Sequence, residues 1–185
     1  GGVLCAIADI LLDLKGSGNK KVGKYKVMDS NWVKMSLWRF PMSIAVATIA
    51  VPMYYMGIIA MRNQLQTENA VFANVFWISG TIGAIGGLFI HATLCYFPMI
   101  YKRLYAEKKS ELAEDIIDEI FHSIRIPFCV LLLLLTSVTS IIIVIAVLEE
   151  YLKISAAFMV LNPLVLTIIG VSMRKINPRM FSDLP

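Results

Sequence analysis

Charge is scarce in this sequence, and absent over long stretches. Only 16% of the 185 residues are Asp, Glu, Lys or Arg, against about a quarter in an ordinary soluble domain. Histidine occurs twice and cysteine three times. There is no GxSxG, no HExxH and no group of histidines. The common hydrolase and zinc-protease arrangements therefore lack their residues. Beyond Cys95, no His or Cys stands at ligand spacing from His91, so no metal is expected. No other cofactor is implied. Cys5, Cys95 and Cys129 all sit in apolar stretches, which argues against a disulfide framework.

What fills the gaps between charges is apolar sequence, 58% of the chain. Phe40 to Met61, Ile126 to Leu148 and Ile154 to Met173 carry no charge over 22, 23 and 20 residues. A bilayer core of about 30 Å needs roughly 20 such residues in a helix. Ala70 to Tyr101 is longer still, 32 residues with no formal charge except potentially on His91. A run of that length tilts, or lays its first turns in the interface. Gly1 to Leu14 is apolar except for Asp9 and Asp13. It lacks the basic start of a signal peptide and reads as the second half of a span. The expected fold is all-α: a polytopic transmembrane helical bundle, one domain over residues 1–185. Its spans are expected at about 1–14 (truncated), 40–61, 74–101, 126–148 and 154–173.

Basic residues set the expected orientation. Fifteen of the 17 Lys and Arg fall in residues 15–39, 102–125 and 174–185, with only Arg62 and Lys153 elsewhere. With five spans, these three segments share one side, and short basic loops stay in the cytoplasm. The +4 net charge is thus a topology signal, and nucleic acid is not an expected partner. A bacterial plasma membrane is the expected location. Tyr54, Tyr55 and Trp77 are expected at the outer interface, and Trp32, Trp38, Tyr96 and Tyr101 at the inner one, as aromatic belts.

Residues 111–124 have a different character. Leu112, Ile116, Ile117, Ile120, Phe121 and Ile124 form one helical stripe, and Glu111, Glu114, Asp115, Asp118 and Glu119 the opposite face. An acidic face suits an anionic leaflet poorly. Docking against the basic segment from Lys15 to Lys34 is the expectation, beside a plain solvated face.

Polar groups at membrane depth are the functional candidates, because burying them in lipid is costly. His91 lies 11 residues before Lys102, about 16 Å inward at helical rise. Asn162 lies 12 residues before Arg174, at similar depth. Asp9 is about 9 Å in, with Arg39 its nearest partner by depth, and Asp13 is placed to pair with Lys15. Ser79, Gly83, Gly87, His91 and Cys95 recur every fourth residue on one ridge. Gly83 and Gly87 make a GxxxG pattern that allows close helix approach or self-association. His91 then has two main readings, a packing seam with one hydrogen bond or a proton, ligand or substrate contact. A Cys95–His91 catalytic pair is a lesser one. Asp9 divides likewise between a structural and a functional partner. Pro52 and Asn162-Pro163 interrupt their spans, as kinks or as site-lining breaks.

Ala8-Asp9, Pro52, the glycine-rich third span with His91, Pro127 and Asn162-Pro163 resemble a bacterial polytopic membrane family of unknown function. The resemblance implies a further helix beyond Pro185 and supplies no mechanism. Three functions stay open. The first is a small transporter or permease with His91, Asn162 and Asp9 at a midplane site. The second is a membrane-embedded lipid enzyme with His91 and Asp9 as acid and base. The third is a non-catalytic sensor or partner subunit.

Overall fold

A computed structural model of the chain describes residues 1–176. Arg179 and the chain end at Pro185 lie outside the described residues. The fold is all-α apart from one small hairpin. Helix α1 covers Gly2–Asp13, α2 Arg39–Glu68 and α3 Ala70–Ala106. Helix α4 covers Ser110–Leu132 and continues through a π turn, Leu133–Val138, into α5, Thr139–Leu148. Helix α6 covers Pro163–Ile176. Strands β1 (Lys21–Val22) and β2 (Met28–Asp29) pair antiparallel, with Lys21 opposite Asp29. Among the described residues, three helices are long and apolar enough to cross a membrane: Arg39–Glu68, Ala70–Ala106 and Ser110–Leu148.

The element boundaries depart from the sequence expectation in three places. The connection expected at 62–68 is helical, because nothing in Arg62–Glu68 breaks a helix. Only Asn69 separates α2 from α3, and its side-chain oxygen accepts from the amides of Val71 and Phe72, capping α3. The amphipathic segment 111–124 and the fourth span are one continuous rod rather than two helices. Pro127 does not part them, since a proline removes one backbone bond without forbidding helical φ. The span expected at 154–173 is not a single helix. A 3₁₀ turn, Ala156–Leu161, comes first, and the apolar part of α6 is only Pro163–Met173. Asn162 supplies the break: it is extended, ψ 132°, and its side-chain oxygen accepts from Leu164 N. Proline then stands at the first helical position, where its missing N–H costs nothing.

Two compact units are present. The first comprises Gly1–Val51 and Leu88–Phe128, the second Pro52–Gly87 and Cys129 onward. Every division along the chain falls at or next to a residue that weakens a helix: Pro52, Gly87 and Pro127. In the first unit, Met28, Trp32, Met35, Phe40, Phe97 and Ile117 are among the residues of one buried cluster. Trp32 and Tyr101 meet edge-on inside it, ring centres 6.1 Å apart. Both belong to this core and not to an aromatic belt, whereas Trp38 and Tyr96 are exposed.

In the second unit, glycines let α3 lie against neighbouring helices. A Cβ on Gly83 would stand 2.7 Å from Leu135 Cβ and 3.1 Å from its Cα. On Gly86 it would press the flexible end of Leu131, and on Gly80 that of Ile58. Gly87 has room, its nearest neighbour being 3.9 Å away. Close approach thus rests on Gly80, Gly83 and Gly86, and the second glycine of the GxxxG pattern has slack. Leu135 lies in the π turn, whose wider ring carries it past the glycine face. Thr139 Oγ1 donates to the Leu135 carbonyl. Between α2 and α3, Trp77 Nε1 donates to Tyr55 Oη at 3.1 Å, and the Arg62 guanidinium covers the Trp77 ring.

Candidate functional site

The first unit holds two polar constructions. One secures residues 14–39, the segment between α1 and α2. Asp29 is fully buried, and its carboxylate meets Lys15 Nζ at 3.0 Å, Lys21 Nζ at 3.0 Å and Asn19 Nδ2 at 2.5 Å. Asn31 Nδ2 donates to the carbonyls of Lys15 and Ser17. Lys15 also pairs with Asp13 at 2.8 Å, as its position suggests. Burial works against the Lys15 charge, but Asp13 and Asp29 outweigh it and hold its pKa above the ordinary 10.5. Lys102 Nζ reaches from α3 to the carbonyls of Val33 and Met35.

This segment does dock on α4, though not by ion pairs. Asp118 accepts from the backbone amides of Lys24 and Tyr25, at 2.6 and 3.3 Å. Tyr25 Oη lies 2.7 Å from His122 Nδ1, and its ring packs on Phe121. Gly23, at φ +76°, passes so close that a Cβ would run into Met28 Cε and Asp118. Among the described residues, no lysine ammonium pairs with the acids of α4. Backbone amides and apolar burial carry the contact, which spares the lysines the entropy of being held.

The second construction joins α1, α2 and α3. His91 Nε2 lies 2.9 Å from Ser43 Oγ, and His91 Nδ1 lies 3.3 Å from Asp9 Oδ1. Ser43 Oγ donates to the Ala8 carbonyl at 2.7 Å, and Cys95 Sγ approaches the same hydroxyl at 3.5 Å. Ser43 and Cys95 are fully buried, while the Asp9 side chain is 63% exposed. Arg39 does not meet Asp9. It donates to the carbonyls of Ile10 and Leu14, neutralising the C-terminal end of α1. Ser43 stands one turn inside α2, so His91 lies level with that end of the helix, about 6 Å in. Counting inward from Lys102 alone puts it deeper, because α3 continues from His91 to Ala106, well past the level at which α2 starts.

The hydrogen-bond inventory fixes the protons. A carbonyl only accepts, so the single Ser43 proton points to Ala8. The Ser43 oxygen then accepts, from His91 Nε2–H and from the Cys95 thiol. With Nε2 protonated, Nδ1 faces the Asp9 carboxyl. The pair needs one more proton between them, on Nδ1 or on Asp9, since two lone pairs would otherwise oppose each other. The connectivity is that of a Ser–His–Asp relay. Its polarity is reversed, however, and a hydroxyl with no exposed surface cannot reach a substrate.

Asn162 belongs to the second unit. It is buried, and its Nδ2 donates to the Ser140 carbonyl at 3.1 Å. With its oxygen capping α6, it ties that helix to α5. Ser43 is the residue that sequence reasoning overlooked. Its signal was a hydroxyl one turn inside an otherwise apolar run.

The whole chain, residues 1–185, matches the family of unknown function DUF6796. The chain belongs to this family. No curated protein and no solved structure matches it. In this DUF6796 chain, Asp9, Ser43, His91 and Cys95 bring a carboxylate, a hydroxyl, an imidazole and a thiol together beside the Ala8 carbonyl.

Proposed function

We propose that this DUF6796 chain is a multi-pass membrane protein in which Asp9 and His91 form a proton-binding site. In this reading residues 15–39, 102–125 and 174–185 are cytoplasmic, in a bacterial plasma membrane. The site lies near the inner ends of α1 and α2, and the exposed side of Asp9 gives protons access. One observation carries the reading: Ser43 spends its proton on Ala8, which leaves His91 and Asp9 sharing one. A shared proton inside a span is the minimum equipment of a proton-coupled permease. Ionisable groups placed so are otherwise too costly to keep.

The test is charge movement on a supported membrane. Protein reconstituted in vesicles is exposed to a pH jump. Protonation within the membrane field gives a transient current, which Asp9→Asn and His91→Gln abolish. A wild-type trace identical to that of protein-free vesicles would contradict the proposal.

The relay-like connectivity sets one alternative to be tested against this reading, a lipid hydrolase in which Ser43 would have to become exposed and turn its proton to His91 to act as nucleophile. It predicts labelling of Ser43 by a fluorophosphonate probe. The first reading predicts none, since Ser43 is buried and its proton points away from His91.

A further inference from the structure

The lysines of the hairpin divide into two sets. Lys15 and Lys21 are neutralised by Asp29. Lys20, Lys24, Lys26 and Lys34 are exposed and meet no carboxylate among the described residues. Asp29 and Asp118 hold the hairpin from within, through buried contacts and backbone amides. The four ammonium groups, that of Lys24 resting 5.5 Å from the centre of the Tyr25 ring, are thereby displayed on a fixed support without a carboxylate partner.

The tip adds a second observation. Lys26 has φ +57°, a conformation that glycine or asparagine adopts far more cheaply. A lysine is kept there against its backbone preference, although its side chain has no acidic partner within the chain. Immediately before α2, Leu37 and Trp38 are 50% and 59% exposed. A bare tryptophan beside the start of an apolar helix suits the headgroup level of a bilayer.

We propose that this hairpin is a docking surface for anionic phospholipid headgroups of the leaflet in which α1 and α2 end. Lys20, Lys24, Lys26 and Lys34 supply the charge, and Leu37 and Trp38 the apolar contact. Clusters of four or more basic residues next to a membrane helix attract anionic lipid in this way. Glu111, Asp115 and Glu119 on α4 are exposed too and would repel such lipid, so the attraction is local to the hairpin.

The experiment uses the full chain in vesicles of phosphatidylcholine with a trace of spin-labelled lipid. Labelled phosphatidylglycerol should associate several-fold more strongly than labelled phosphatidylcholine, and salt should weaken the difference. Replacing the four lysines by glutamine should remove it. Lys26→Asn is the control for folding: it relieves the backbone, should leave thermal stability equal or higher, and should still lower the preference. No preference in the wild type, or an unchanged one in both variants, overturns the proposal. So does its loss to inorganic phosphate at matched ionic strength, which would mean that the lysines hold a free anion.

Discussion

Removing the Ser43 hydroxyl leaves His91 Nε2–H and the Cys95 thiol facing an empty place. Ser43→Ala should destabilise the protein by about 1–2 kcal/mol in detergent unfolding, since a buried donor loses its acceptor. Asp29 is the more severe case. Asp29→Asn strips a buried carboxylate from two ammonium groups, a change that costs about 3 kcal/mol or more when a buried pair is broken. Hydrogen exchange should show protection lost over residues 15–34 while α3 stays closed. Lys15 gives that protection a pH signature. Its pKa is raised on folding, so its contribution is complete below about 10.5 and fades as pH climbs through the raised value. Hairpin protection should therefore hold from neutral pH to about 10.5 and fall as pH climbs further, through the raised value.

Helix packing in the second unit ranks three glycines. Gly83→Ala drives a Cβ into the Leu135 backbone region and should cost about 1–3 kcal/mol. Gly86→Ala meets only the end of a leucine and should cost less, and Gly87→Ala should be neutral. A thermal series on the three variants checks the order. Asn162→Ala removes a cap and a tether together and should cost about 1 kcal/mol or more. At this scale the sequence was informative where the backbone decides and silent where neighbours decide. Uncharged runs located α2, α3 and the α4–α5 rod. The GxxxG spacing pointed to the right face of α3 but to the wrong second glycine, because partner position is set by a π turn with no spacing signature. Asn162 read as a midplane site residue by depth. Its place before proline is the better clue, and that clue is a capping rule. Arg39 was matched to Asp9 by depth, yet a helix C-terminus one turn away offers two carbonyls and claims it.

For the whole molecule, charge asymmetry and helix length point the same way. The 15 basic residues clustered in three segments predict that reporter fusions at residues 24–26 and 107–109 are cytoplasmic, and a fusion at Asn69 is external. A fusion at Asn69 that reports the cytoplasm would overturn that topology. The Asp9–His91 pairing was legible as a candidate acid and base, but depth offered Arg39 to Asp9 as well, and nothing in the spacing decides between them. Ser43, which orients the pair, emerges only when α1, α2 and α3 pack together. The most direct measurement is nitrogen NMR of the His91 imidazole in the full chain, reconstituted in a bilayer at neutral pH. The proton accounting predicts a protonated Nε2 bonded to Ser43, with Nδ1 protonated or hydrogen-bonded to a protonated Asp9. A neutral ring with Nε2 bare and Nδ1 protonated would contradict it, and would restore Ser43 as a hydroxyl that donates to histidine.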